Sequence, residues 1–113
     1  MDSIEKIKAK KLGEIKQASQ KVVFDVGDSD FEEKVIKAAF ETPVRVDFWA
    51  SWCMPCRMLG PTLEKVAKDY NGKFVLAKLN TEDNQRRPSE FSVMSIPNVK
   101  LFKNGAVVDE FVG

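Results

Sequence analysis

Residues 44–50, Val44-Arg45-Val46-Asp47-Phe48-Trp49-Ala50, are apolar except at Arg45 and Asp47. Such a run reads as a strand buried on both faces, and that strand needs a covering layer on each side. The neighbouring segments supply the layers. Lys21–Val26 is β-branched and loosely alternating, so it reads as a strand. Asp28, Ser29 and Asp30 can cap a helix on which Phe31, Val35, Ile36 and Ala39 share one side, and Thr42–Pro43 ends it. A helix is predicted from about Met54 to Tyr70, with Leu59, Leu63, Val66 and Ala67 inward, Pro61 kinking it and Asn71–Gly72 closing it. Lys73–Asn80 is the next strand. A short helix between Thr81 and Phe91 contains Pro88, so it either starts late or is broken. Asn98–Lys103 and Ala106–Val112 flank Asn104–Gly105, a hairpin signal. With a helix at residues 2–19, the order is α-β-α-β-α-β-α-β-β. That order implies an α/β fold: a mixed central sheet with helices on both faces.

The chemistry is expected where residues 44–50 give way to the long helix, at Ser51-Trp52-Cys53-Met54-Pro55-Cys56. A helix N-terminus has unpaired N–H groups and a positive dipole end, and both favour a thiolate over a thiol. The spacing puts the two sulfurs on the first turn, where they can bond each other with little backbone change. Cys53, nearer the tip, is expected to be exposed and to attack. Cys56, one turn in, is expected to be shielded and to resolve the mixed disulfide. A structural metal site needs four ligands, and the chain has no third Cys and no His, so metal is not expected. Asp47, six residues before Cys53, is a costly group on a buried strand unless it has a task. Burial would raise its pKa into the range that suits proton exchange near neutral pH. A solvent-facing Asp at a sheet edge is the plainer alternative. Lys78 is a plausible neighbour on the adjacent strand. Pro97, before a strand, invites a cis bond that sequence alone does not decide.

Residues 46–58, from Val46-Asp47-Phe48-Trp49 through Cys53-x-Pro55-Cys56-Arg57-Met58, closely resemble the thioredoxin signature. Pro61, the Val75-x-Ala77-Lys78-Leu79-Asn80 strand, Ile96-Pro97 and Leu101-Phe102-Lys103-Asn104-Gly105 resemble further landmarks in the same order. The resemblance implies the thioredoxin fold and dithiol–disulfide exchange, with Cys53 and Cys56 as the redox-active pair. It makes Asp47 the buried acid that manages the Cys56 proton, with Lys78 near it, and Pro97 the cis-proline. Trp52, Met54, Pro55, Ile96, Pro97, Val112 and Gly113 fall on the apolar platform that holds a client polypeptide. Disulfide-containing client proteins and a thioredoxin reductase are the implied partners, with no bound cofactor. Met54-Pro55 between the cysteines offers no charge to hold a thiolate unusually strongly, which leans toward a reductant over an oxidase or isomerase. A thioredoxin-like binding module, or a fragment of a larger redox protein, is the alternative from another class.

Three departures stand out: Met54 where the family usually has Gly, Asn98 where Thr usually follows the proline, and an end at Gly113 where the family continues into a C-terminal helix. The division expected is a helical extension, residues 1–20, and a thioredoxin-like domain, residues 21–113. Ile4, Ile7, Leu12, Ile15 and Ala18 form an apolar stripe on the extension. That stripe is expected to cover sheet left bare on the face carrying Lys100 and Phe102, in its own chain or a partner's. Residues 1–21 hold six Lys against three acids, yet the whole chain of 113 residues is only +1. A net charge so small makes no global case for nucleic acid. No apolar run approaches the roughly 18–20 residues of a membrane span. The N-terminus lacks an apolar signal core, and Glu5 and Glu14 speak against a transit peptide. A cytoplasmic monomer or weak dimer is the expectation.

Overall fold

A computed structural model describes residues 22–113. The predicted helix at residues 2–19, and its packing, lie outside the described residues. Five strands form one mixed sheet: β1 (Val23–Val26), β2 (Val44–Trp49), β3 (Val75–Asn80), β4 (Asn98–Lys103) and β5 (Ala106–Val112), in the order β1-β3-β2-β4-β5. β3 is parallel to both β1 and β2, whereas β4 is antiparallel to β2 and to β5. The hairpin between β4 and β5 turns at Asn104 and Gly105, with φ of 53° and 79°. Those left-handed values are the ones an Asn-Gly turn supplies at low cost.

β2 has two covered faces, as its composition requires. Val44, Val46 and Phe48 point into the main core with Ala77, Leu79 and Phe102. Phe31, Val35 and Ala39 close that side. They come from a helical segment wound as a π-helix over Glu32–Lys37 and as a 3-10 turn over Ala38–Phe40. The spacing of four residues suits i→i+4 and i→i+5 winding alike over so short a stretch, so periodicity signals the buried side but not the winding. The other face of β2 carries Arg45, Asp47 and Trp49, and helix α1 (Met54–Asp69) lies across that side of the sheet. Ala67 and Leu63 of α1 pack with Phe74, Leu76 and Val23. α1 runs through Pro61 without a break and stops at Asn71 and Gly72, whose φ values are 52° and 86°. Val66, expected inward, is exposed; the inward positions are Cys56, Gly60 and Ala67. Helix α2 (Arg86–Glu90) is short and starts late, with Pro88 inside it.

The expectation of a bare face around Phe102 is overturned. Phe102 is fully buried, with its ring 5.7 Å from Phe31 and 5.2 Å from Phe91. Its face is the one the Phe31 segment covers. Lys100, on that same face, is also buried and pairs with Glu110 of β5. Exposure falls instead on β5, whose seven residues are all open to solvent. Two substitutions separate these environments. Phe102→Ala should cost about 3–5 kcal/mol of unfolding free energy, read from the urea midpoint. Phe111→Ala, at a half-exposed side chain, should cost under about 1 kcal/mol. A Phe111 cost equal to that of Phe102 would contradict the assignment of β5 as an open edge.

Candidate active site

The end of β2 and the start of α1 build the site. Cys53 is the N-cap of α1, with extended backbone (φ −88°, ψ 102°), and its sulfur accepts the Cys56 N–H at 3.3 Å. Cys53 and Cys56 form a disulfide across a Cα–Cα distance of 5.2 Å. Pro55 occupies the first turn, where its missing N–H breaks no helical bond. The predicted contrast in exposure between the cysteines is not found: Cys53 is 4% exposed and Cys56 2%. Ala50, Trp49 and Ile96 pack around the pair, and each sulfur shields the other in the disulfide. The open groups are their neighbours Trp52 and Met54, at 70% and 64%.

Asp47 is buried, and neither carboxylate oxygen has a hydrogen-bond partner. Burial pushes its pKa from 3.8 up to about 6; Lys78 pulls it down and the Glu64 charge adds to the rise. The parallel register places Lys78 directly beside Asp47. The Lys78 ammonium turns to Glu64, Nζ to Oε2 at 3.2 Å, and lies 5.1 Å from the centre of the Trp49 ring. Asp47 of β2, Lys78 of β3 and Glu64 of α1 therefore form one charged set between sheet and helix.

The loop before β4 brings the apolar residues to the pair. The Ile96–Pro97 peptide is cis, and Pro97 is buried. Ile96 packs on the cysteine cluster. Val112 is half-exposed and pairs with Asn98, while Gly113 N–H donates to the Pro97 carbonyl at 3.0 Å. A Cβ on Gly113 would meet Pro97 Cγ at 2.8 Å, so this close approach requires glycine. The sequence-predicted residues Trp52, Met54, Pro55, Ile96, Pro97, Val112 and Gly113 thus gather at one end of the sheet. Asn98 is buried, and its amide donates to Glu110 Oε1 at 3.3 Å.

Sequence reasoning missed Glu82. Its Oε1 accepts from Ser51 N–H and Ser51 Oγ, both at 2.6 Å. Those bonds hold the Glu82 carboxyl below the usual range and fix the loop that carries Trp52. Parallel pairing was the available signal: Trp49 and Asn80 are register partners, so the turns that follow them must meet. Among the described residues, no cluster of three or more His, Cys, Asp or Glu side chains is arranged to hold a metal ion.

A disulfide on the first turn of a helix, beside a cis-proline and after a strand that carries a buried carboxylate, can exchange electrons with other disulfides. The family model described as Thioredoxin matches residues 22–113. The chain belongs to the thioredoxin family. It is 48% identical over 89 residues to the thioredoxin of Rickettsia bellii, covering 79% of this chain and 83% of that one. The thioredoxin of Pseudomonas aeruginosa is 46% identical over 91 residues, 80% and 82% of the two chains. A chloroplastic M-type thioredoxin of Pisum sativum is 47% identical over 88 residues, 78% of this chain and 50% of that one. As a thioredoxin family member with an intact cysteine pair, the protein is a thiol–disulfide oxidoreductase.

The cost of Asp47 sets a pH prediction. The folded state binds the Asp47 proton more tightly than the unfolded state does. The stability this contributes is full below the unfolded pKa of 3.8 and is lost as pH rises through about 6. At pH 7 the buried carboxylate therefore costs on the order of 3 kcal/mol. Asp47→Asn should be more stable than the parent at pH 7, by up to about that amount, with the gain fading as pH falls from about 6 toward 4. Urea unfolding at both pH values measures this, and a gain equal at pH 4 and pH 7 would contradict it.

Proposed function

We propose that this protein reduces disulfides of client proteins, with Cys53 as the attacking thiol and Cys56 as the resolving one. The Cys53 thiolate attacks a client sulfur; the client S–S bond breaks, a Cys53–client mixed disulfide forms and one client thiolate leaves. Cys56 then attacks Cys53 Sγ, which frees the second client thiolate and closes the Cys53–Cys56 disulfide. Asp47 accepts the Cys56 proton as that thiol becomes a nucleophile, and Lys78 tunes it. A carboxyl with a pKa of about 6 suits a group that takes and gives a proton near neutral pH. Trp52, Met54, Pro55, Ile96 and Pro97, with Val112 and Gly113, receive the client backbone and apolar side chains.

The observation that carries this reading is the placement of the pair at the N-cap of α1. There the Cys56 N–H already points at Cys53 Sγ, as a donor to a thiolate would. A thioredoxin reductase is the electron donor proposed, working in the cytoplasm on a monomer or weak dimer. Among the described residues no helix is long and apolar enough to cross a membrane.

An insulin-disulfide reduction assay tests the proposal. Cys53→Ser should abolish turnover, and Cys56→Ser should accumulate mixed disulfides with the client. Asp47→Asn should slow exchange and remove the rise in rate through about pH 6. Faster alkylation of Cys56 than of Cys53 in the reduced protein would reverse the assignment of the two thiols.

A further inference from the structure

Every methionine among the described residues stands exposed near the disulfide: Met54 at 64%, Met58 at 75% and Met94 at 91%. Met54 lies between the cysteines, and Met58 is one turn further along α1. Met58 lines a groove of about 420 Å³ with Pro55, Pro97 and Phe111. Met94 lines a second groove of about 410 Å³ with Trp52, Val93 and Ile96. One groove contains Pro55 and the other Trp52 and Ile96, which adjoin the pair in sequence or pack on it, so a client that docks at the disulfide reaches the grooves that hold Met58 and Met94. Flexible, polarizable methionine suits a surface that must fit many sequences.

The same residues are the accessible sulfurs of the oxidised protein. In the disulfide neither cysteine carries a thiolate, and both are almost wholly shielded. Peroxide arriving at this end of the molecule meets Met54, Met58 and Met94 first. We infer that these three form an oxidisable docking rim, in which conversion to methionine sulfoxide weakens client binding reversibly. The inference rests on the proposed client reduction. Each thioether sulfur attacks one oxygen of hydrogen peroxide; the O–O bond breaks, an S–O bond forms and water is released. The sulfur is oxidised by two electrons and the peroxide is reduced by two. Pro55, Leu59, Pro97 and Phe111 beside Met58, and Val93 and Ile96 beside Met94, offer no donor to a sulfoxide oxygen, while Thr62 lines the first groove and Trp52, Thr81 and Ser95 the second. A client side chain packed on these apolar neighbours would meet a polar, chiral S–O group in place of a thioether, and docking would have to strip that group of water. The exchange chemistry of Cys53 and Cys56 is left as it was, so the loss falls on binding.

The full-length disulfide form is treated with hydrogen peroxide and mapped by peptide mass spectrometry. It is then assayed for insulin reduction over a range of insulin concentrations. The expected result is one added oxygen at each of Met54, Met58 and Met94, a KM raised roughly tenfold and a kcat nearly unchanged. Treatment with a methionine sulfoxide reductase and dithiothreitol should restore KM, the sulfoxide oxygen leaving as water while dithiothreitol becomes its disulfide. In the M54L/M58L/M94L chain, KM should be the same before and after peroxide. Unmodified rim methionines, an unchanged KM after full oxidation, or an equal KM rise in the triple variant would each overturn the inference. Failure of the untreated protein to reduce insulin would instead overturn the function proposed above.

Discussion

Strand β2 is paired on both edges and covered on both faces, and the rest of the molecule is arranged around those four demands. Its two edges are met by a parallel partner, β3, and an antiparallel one, β4. One face meets Phe31, Val35 and Phe102; the other receives α1. A strand held this way ends in a fixed place and direction, so the Cys53 N-cap that follows is fixed too. Ser51, between strand and cap, is tied by two bonds to Glu82, which extends the same rigidity to the loop. The site is therefore placed by sheet geometry, with little left to loop flexibility.

The sequence made the central part of this legible. The apolar run 44–50, the capping residues, the Asn104–Gly105 turn and the cysteine pair at a strand–helix junction each have a local physical signature. The structure has the strand, the turn and the cysteine pair where they were expected. Asp28, Ser29 and Asp30 do not cap the Phe31 segment: its N-cap is Phe31 with no side-chain cap bond, Asp30 accepts from Gly27 N–H, and Asp28 accepts from the N–H groups of Arg86 and Arg87. What was not legible depends on which face of an element meets which neighbour. Alternation places Lys100 and Phe102 on one face, but it does not say that the Phe31 segment covers that face. The Lys100–Glu110 pair and the Glu82–Ser51 bonds join residues that are distant in sequence, and neither has a motif. Cys53 was expected to be open because a helix tip usually is. The packing of Trp49, Ala50 and Ile96 overrides that rule.

Asp47 shows stability and function set against each other at one position. An apolar side chain there would satisfy β2 better, since both carboxylate oxygens are buried without partners. Lys78 stands beside it but spends its ammonium on Glu64, leaving the Asp47 charge only partly compensated. A direct Lys78–Asp47 bond would hold the carboxyl low and leave it ionised at every physiological pH. Keeping the lysine at a remove leaves the pKa near neutrality, at the expense of folding stability. A buried acid left half-compensated is consistent with the proton role proposed for Asp47.

Near-equal burial of the two cysteines moves the explanation of their proposed roles from access to hydrogen bonding. Cys53 is the N-cap, so its sulfur faces the unpaired donors of the first turn, and one of them, the Cys56 N–H, already points at it. Cys56 lies within that turn, its own N–H directed to its partner. Once the disulfide opens, the charge left on the pair is better held at Cys53 than at Cys56. Under the proposed mechanism the helix terminus selects the attacking thiol, and the resolving thiol depends on a proton acceptor, the role proposed for Asp47. That proposed order, a mixed disulfide formed and then resolved, rests on where β2 ends and α1 begins.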